Sequence, residues 1–327
     1  MKIASIQFSK NEDHSAFNCK KYGGGSVFSK WARILKNNGE DEFYDFGPKE
    51  CFENVLPSEV PERCFVLNDQ VLEALKKGGE VKSLLPFAEK FDFIIVNQDD
   101  CILNLNGLKA QWGCWLAFVN QTTYAPNVFI YSYDQAARVL NTAKVFKVQI
   151  GAYVPDEKPD GIFEDYLFQC TRIDSSMNPI PIVKICNKLG IKFILAGPIF
   201  HNYPILEHID NKNSFYYGII GEDLKIQLTK KARLVNLCHS WDTIFNLTFC
   251  TAVGQGVPVM TYNKGCFRYL VQEGINGFFF KDSEESFLDI WNRAKLVNRE
   301  KIWETAKEWD HIRMVESFYG AFKKILN

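Results

Sequence analysis

The chain has 327 residues, 46% of them hydrophobic, with 38 Lys and Arg against 39 Asp and Glu. That length suffices for two domains with sizeable cores, and the composition excludes an intrinsically disordered chain. Charge this evenly balanced, in each half as in the whole, argues against a surface built chiefly for nucleic-acid phosphates. No apolar run reaches the ~18 residues that a membrane-spanning helix needs.

Strand and helix signals alternate from the start. The opening segment has too short an apolar run for a signal peptide and reads as a first buried strand, Ile3–Phe8. Gly23-Gly24-Gly25-Ser26 follows, ahead of a helical run over Val27–Lys36. Glycines there let the backbone approach a ligand closely, and a helix start attracts an anion. The plain reading is a flexible loop with Ser26 as N-cap. A second helical run spans Asp69–Lys77, and a strand spans Phe91–Asn97 and ends in Gln98-Asp99-Asp100. The next strand, Val128–Asp134, ends in Tyr133-Asp134. Polar residues at a strand's carboxyl end can face a ligand, and they can equally form an ordinary Asx turn. Ala143–Ile150 reads as the last strand of a first block.

Pro155-Asp-Glu-Lys-Pro159-Asp-Gly161 is polar and punctuated by Pro and Gly, which predicts a linker over 155–164. Beyond it, strands are expected at Tyr166–Ile173, Ile191–Gly197, Phe215–Ile220, Arg233–Ser240, Val257–Tyr262 and Gly277–Phe280. Helices are expected at Ile180–Leu189, Asp223–Lys230 and Glu284–Val297, with another starting near Phe245. This alternation predicts an α/β chain with parallel sheets covered on both faces. The expected organisation is a first domain over 1–154, a second over 165–300, and a C-terminal helix, 301–327, that packs back on the first.

The ten cysteines form no CxxC pair, and the five histidines have no metal-ligand spacing, so no metal site is expected. Scattered free thiols suit a reducing cytoplasm. GxSxG, Walker A and GxGxxG motifs are lacking, so the usual hydrolase, kinase and dehydrogenase signatures are missing.

Trp241–Val259, WDTIFNLTFCTAVGQGVPV, is the most informative segment. A strand, a loop, a helix start and another strand form a unit suited to phosphate, because free N–H groups and the helix dipole attract anions. With Asn263-Lys264-Gly265 and Gly274-Ile-Asn-Gly277 downstream, it resembles the donor half of retaining glycosyltransferases of family 4. That family has the GT-B fold, two Rossmann-like domains with a cleft between them. It carries two glutamates eight positions apart, one for the transferred sugar and one for the ribose; here Thr243 and Thr251 stand in those positions. Arg172, at the end of a strand, matches the family arginine that contacts the donor diphosphate, and its fork suits phosphate oxygens. The family's lysine five positions later is Met177 here, with Lys264 as the candidate replacement.

The resemblance implies transfer of a sugar from a nucleotide-sugar donor to an acceptor hydroxyl with retention of configuration, without a metal or other cofactor. It implies donor contacts from Gly24, Gly25, Arg172, Gly218, Asp242, Thr243, Phe245, Asn246, Thr251 and Lys264. The acceptor side falls to Ser26, Asp99, Asp100, Tyr133 and Asp134, with no catalytic base identified. The acceptor is a glycan, a lipid-linked sugar or a hydroxymethylated base in DNA. Because a threonine has one hydroxyl and no charge, two readings stay open. One is an active enzyme with altered donor contacts, Asp242 substituting; the other is a GT-B-like protein that binds nucleotide sugar without turnover.

Overall fold

The structure is a computed structural model that describes residues 1–7, 42–47, 64–66, 68, 70–71, 74, 90–97, 111–115, 127–131, 143–152, 154–243 and 245–327. It contains two units: Met1–Ile150 together with His311–Asn327, and Gly151–Asp310.

The first unit holds a parallel sheet of β1 (Lys2–Gln7), β2 (Glu42–Gly47), β3 (Cys64–Val66), β4 (Phe93–Asn97), β5 (Gln111–Trp115), β6 (Asn127–Ile130) and β7 (Lys144–Lys147). Their spatial order is β3-β2-β1-β4-β5-β6-β7. Ile3 lies beside Phe43 on one side and Phe93 on the other, so β1 is central. Phe93, Val128, Phe129 and Ile130 are fully buried. The helix His311–Leu326 covers them through Met314, Val315, Phe318, Tyr319 and Phe322, an apolar stripe at helical spacing. The Phe322 ring stands 4.7 Å from Phe93 and meets Phe129 edge-on at 5.4 Å. Burial of each such ring contributes about 1.5–3 kcal/mol.

The second unit repeats the arrangement with β8 (Glu164–Cys170), β9 (Lys192–Ala196), β10 (Ser214–Tyr216), β11 (Ala232–Asn236), β12 (Val259–Thr261) and β13 (Gly277–Phe279). These are parallel in the order β10-β9-β8-β11-β12-β13. Successive side chains of a strand point to opposite faces, and the two cores follow that rule. Tyr166, Phe168, Ile194 and Ala196 enter one cluster with Phe249, Val253, Ile302 and Trp303. Leu167, Phe193 and Leu195 enter the other with Ile182, Val183, Phe287 and Trp291. The α-helices of this unit are α1 (Ile180–Leu189), α2 (Glu222–Lys231), α3 (Leu247–Gly254), the single turn α4 (Phe267–Leu270), α5 (Glu284–Ala294) and α6 (Arg299–Ala306), and α1, α3, α5 and α6 supply the residues named. α1 begins after Pro179 and ends at Gly190 with φ 67°, a left-handed cap that glycine adopts without strain.

Three strands lie outside the sequence expectation. β2, β3 and β5 contain Asp, Gly or Cys, so their pairing with β1, β2 and β4 respectively, rather than their own composition, makes them strands. The single helix expected over Lys301–Leu326 is two, α6 and α7 (His311–Leu326), separated by a 3-10 turn at Lys307–Trp309 and an extended Asp310. Asp310 bridges to Ala152, whose N–H donates to the Trp309 carbonyl at 2.9 Å. A Cβ on Gly151 would stand 2.4 Å from that same carbonyl.

The chain changes unit at Ile150/Gly151 and again at Asp310/His311. The segment 155–164 packs onto the second unit. Trp303 Nε1 donates to the Pro155 carbonyl at 2.8 Å, Lys230 pairs with Asp160 at 2.6 Å, and the Arg299 guanidinium lies 4.6 Å from the Phe163 ring centre.

Candidate functional site

In an open parallel sheet, ligands bind outside the carboxyl ends of the strands where the strand order reverses. In the second unit that point lies between β8 and β11. The loop after β8 carries Arg172, Asp174 and Ser176; the loop after β11 carries His239 and Ser240. Ser240 laces the two together, its N–H donating to the Ser176 carbonyl at 2.9 Å and its hydroxyl to the same oxygen at 2.6 Å. On the other flank, Gly197 at the end of β9 has φ 127° and abuts the Thr171 carbonyl so closely that an added Cβ would lie 1.8 Å from it.

Asp174 organises the β8 loop. Its Oδ1 accepts from the Ser176 N–H and hydroxyl and from the Met177 N–H, while its Oδ2 pairs with Arg172 Nε at 2.7 Å. Burial opposes its ionisation, but the Ser176 hydroxyl, the Met177 N–H and the Arg172 charge together hold its pKa below the ordinary carboxylate value. Arg172 also donates to the Ser176 hydroxyl at 3.2 Å, and its side chain keeps 38% of its surface exposed. The guanidinium is thus oriented from one edge and open on the other.

His239 is 4% exposed. Burial, together with the charges of Lys264 and Arg172 and against that of Asp174, lowers its pKa to about 4, so the ring is uncharged at neutral pH. Its Nε2 lies 2.9 Å from Asn246 Nδ2. Lys264 is half-buried, sits 5.1 Å from the Tyr262 ring centre, and makes no ion pair among the described residues. It borders a pocket of about 370 Å³ with Asn178, Ser240, Tyr262, Asn263 and Asp282. Tyr262 donates to Asp282 at 2.5 Å; burial and that bond raise its pKa, so it stays protonated.

α3 starts at this point. Asn246 is its N-cap and accepts the Phe249 N–H at 2.8 Å, so that donor is satisfied inside the protein. Thr243 is buried; its hydroxyl donates to the Phe245 carbonyl at 2.8 Å and its own carbonyl accepts from Cys266 at 2.7 Å. Thr251 donates to the Leu247 carbonyl one turn back at 3.1 Å. Gly265, with φ 52°, braces this loop: a Cβ there would lie 2.7 Å from the Thr243 carbonyl oxygen.

The structure therefore places Arg172, Thr243, Asn246 and Lys264 around one strand-order reversal, with Asp242 exposed on the same loop and Phe245 packed against the core beneath it. Thr251 lies a turn into α3. Gly218 stands two strands away at the end of β10, where its carbonyl accepts the Gly197 N–H at 2.8 Å. Met177 is buried, with its N–H bound to Asp174. Gly24, Gly25, Ser26, Asp99, Asp100, Tyr133 and Asp134 lie outside the described residues. Sequence reasoning passed over Asp174, Ser176, His239 and Ser240. Their only signal was position, as polar residues at the carboxyl ends of apolar strands. Among the described residues no cluster of His, Cys, Asp and Glu could hold a metal ion, and no helix is long and apolar enough to cross a membrane.

No protein-family model and no curated protein sequence matches the chain. Solved structures do. AviGT4, a glycosyltransferase involved in avilamycin A biosynthesis, aligns over 100% of this chain and 98% of its own at 15% identity, with a TM-score of 0.69. HepE from Anabaena, solved with UDP and glucose, aligns over 99% and 100% at 12% identity and TM-score 0.73. Sucrose-phosphate synthase from Thermosynechococcus elongatus aligns over 99% of each chain at 12% identity and TM-score 0.66. Likeness at such identities is likeness of fold. The chain has the architecture of GT-B glycosyltransferases, two Rossmann-like units each built on a parallel sheet.

Proposed function

We propose that this protein is a glycosyltransferase that takes its sugar from a nucleotide-sugar donor bound in the second unit. One observation carries the reading: Arg172, in the loop after β8, and Lys264, in the loop after β12, both stand at the carboxyl ends of strands beside the point where the strand order reverses, Arg172 with an open edge and Lys264 without an ion pair among the described residues. That field suits a diphosphate, both as a bound group and as the charge that develops on a departing nucleotide. HepE, which shares the fold, was solved with UDP and glucose, which makes a UDP-sugar the first donor to test.

The resemblance to family 4 extends the proposal to retention of configuration and to charge stabilisation by Arg172 and Lys264 without a metal, and the scattered thiols extend it to a cytoplasmic enzyme. It also extends to an acceptor hydroxyl on a glycan, a lipid-linked sugar or a hydroxymethylated DNA base. The second reading, binding without turnover, is favoured by the two threonine hydroxyls, each tied to a carbonyl of its own loop or helix.

Calorimetry with UDP and a transfer assay over a panel of nucleotide sugars separate these readings. The expected result is UDP binding together with sugar transfer. Binding with neither transfer nor donor hydrolysis supports the second reading, and failure to bind any nucleoside diphosphate removes both. Arg172→Ala is expected to weaken UDP binding by about 10- to 100-fold, the loss of one charge-assisted contact of ~1.5–3 kcal/mol. The variant should still fold, with a loss of stability no larger than the about 1–2 kcal/mol of its ion pair with Asp174, because Arg172 is only partly buried.

A further inference from the structure

His239 has a hydrogen-bond state that its neighbours determine. Asn246 Oδ1 accepts the Phe249 N–H at 2.8 Å, which fixes the orientation of the amide. Asn246 Nδ2 therefore faces His239 Nε2, at 2.9 Å, as a donor. A donor facing Nε2 requires that nitrogen to be the acceptor, and a neutral imidazole then carries its proton on Nδ1. The Nδ1 atom is closed to solvent and has no hydrogen-bond partner among the described residues. A buried donor left without an acceptor costs about 1–3 kcal/mol, and native proteins rarely keep one without a use.

We propose that His239 is a binding residue whose Nδ1–H donates to an anionic phosphate oxygen of the nucleotide ligand, with Asn246 as the positioning residue that holds its tautomer. The inference rests on the reading of this site as a nucleotide-diphosphate site. Phosphate is the ligand chemistry favoured because Arg172 keeps an open edge after β8, and Lys264, without an ion pair among the described residues, lines one pocket with the exposed Ser240, the residue next to His239. An anionic oxygen drawn towards the two cations is the acceptor at hand. A neutral donor adds a directed contact without adding a third charge that would repel Arg172 and Lys264. It also offsets the N–H lost at the helix start, where the Asn246 side chain itself occupies Phe249.

The test combines imidazole nitrogen NMR with calorimetry, using UDP and inorganic pyrophosphate as probes. In the unliganded protein at neutral pH, the His239 proton is expected on Nδ1, and its resonance should move when UDP is added. His239→Gln, whose amide extends past the Nδ1 position, is expected to lose about tenfold in affinity for UDP, as for one neutral hydrogen bond. His239→Asn, whose amide nitrogen can stand where Nδ1 does, should recover part of that loss. Asn246→Ser keeps a helix cap but removes the amide donor, and is expected to give a mixture of His239 tautomers.

A wild-type proton on Nε2 overturns the inference. So does a folded His239→Gln that binds UDP and pyrophosphate as tightly as the parent. Should both His239 variants fail to fold, the wild-type spectrum decides: an Nδ1–H resonance that UDP leaves unmoved overturns the inference. If Arg172→Ala loses affinity while His239→Gln does not, this inference fails and the nucleotide site stands. A wild type that binds neither probe overturns both.

Discussion

Arg172, after β8, is half exposed and held from one side by Asp174 and Ser176. His239, after β11, is almost wholly buried, uncharged, and held from one side by Asn246. The two loops meet through Ser240 and Ser176, yet they equip the same place with opposite means. A charged group stays near solvent because its desolvation is expensive, and a fixed carboxylate serves to aim it. A neutral donor tolerates burial and gains strength there, since low dielectric magnifies a directed hydrogen bond. A site that gathers negative charge benefits from both.

The largest expected effect tests the support of the β8 loop. Gly197→Ala puts a Cβ on the Thr171 backbone at a φ that only glycine adopts readily, and a backbone neighbour has little room to yield. A loss of more than ~3 kcal/mol in urea unfolding is expected. A variant of parental stability would mean that the β8 loop is not built on that contact.

The pH dependence of stability comes next, and it belongs to the β11 loop. The folded pKa of His239, about 4, lies below its ordinary value, so the unfolded chain takes the proton first. The resulting stability is fully present above pH ~6.5 and is lost as pH falls through about 4, an effect on the order of 3 kcal/mol. Urea unfolding across that range should show a steeper acid decline for the parent than for His239→Asn. Equal slopes would place His239 in a wetter environment than the one described.

Asp174→Asn addresses the β8 loop by a smaller amount. An amide oxygen can still accept from Ser176 and Met177, but the ion pair with Arg172 goes. A loss of about 1–2 kcal/mol at neutral pH is expected. The carboxylate's contribution exists above its ordinary pKa and disappears as pH falls through its depressed one, so the gap between parent and variant should close in acid. A gap that persists in strong acid would separate the effect from ionisation.

Thr251→Val should do least. Its hydroxyl bonds back to Leu247, an interaction close to neutral for helix stability, so a change under about 1 kcal/mol and an unchanged UDP affinity are expected. A clear loss of affinity would show that Thr251 turns to the ligand after all.

The candidate site was half legible. Arg172 could be read from its place at a strand end, and Thr243 and Thr251 from the spacing of their segment. His239 could not, because a lone histidine closing an apolar strand reads as core. Nothing in Arg233–Ser240 says that Asn246 will meet its ring or that two cations will approach it. The hydroxyls of Thr243 and Thr251 were likewise visible as residues, whereas their carbonyl partners depended on how the loop closed over Gly265.

Sequence alone determined the local choices of this protein. The alternation of buried runs with amphipathic ones defines parallel sheets flanked by helices. Pro179 and Gly190 bracket α1 at both ends, since one presets and the other permits the required dihedrals. Tertiary structure alone decided the long-range matters. It set β8 beside β11 across more than sixty residues of intervening chain, and it recruited β2, β3 and β5 into their sheet. It broke a continuous helical pattern at Asp310, where backbone pairing with Ala152 outweighs helix propensity. It also buried His239 among charges, and protonation state and tautomer follow from that burial because they depend on dielectric and on neighbours that only folding assembles.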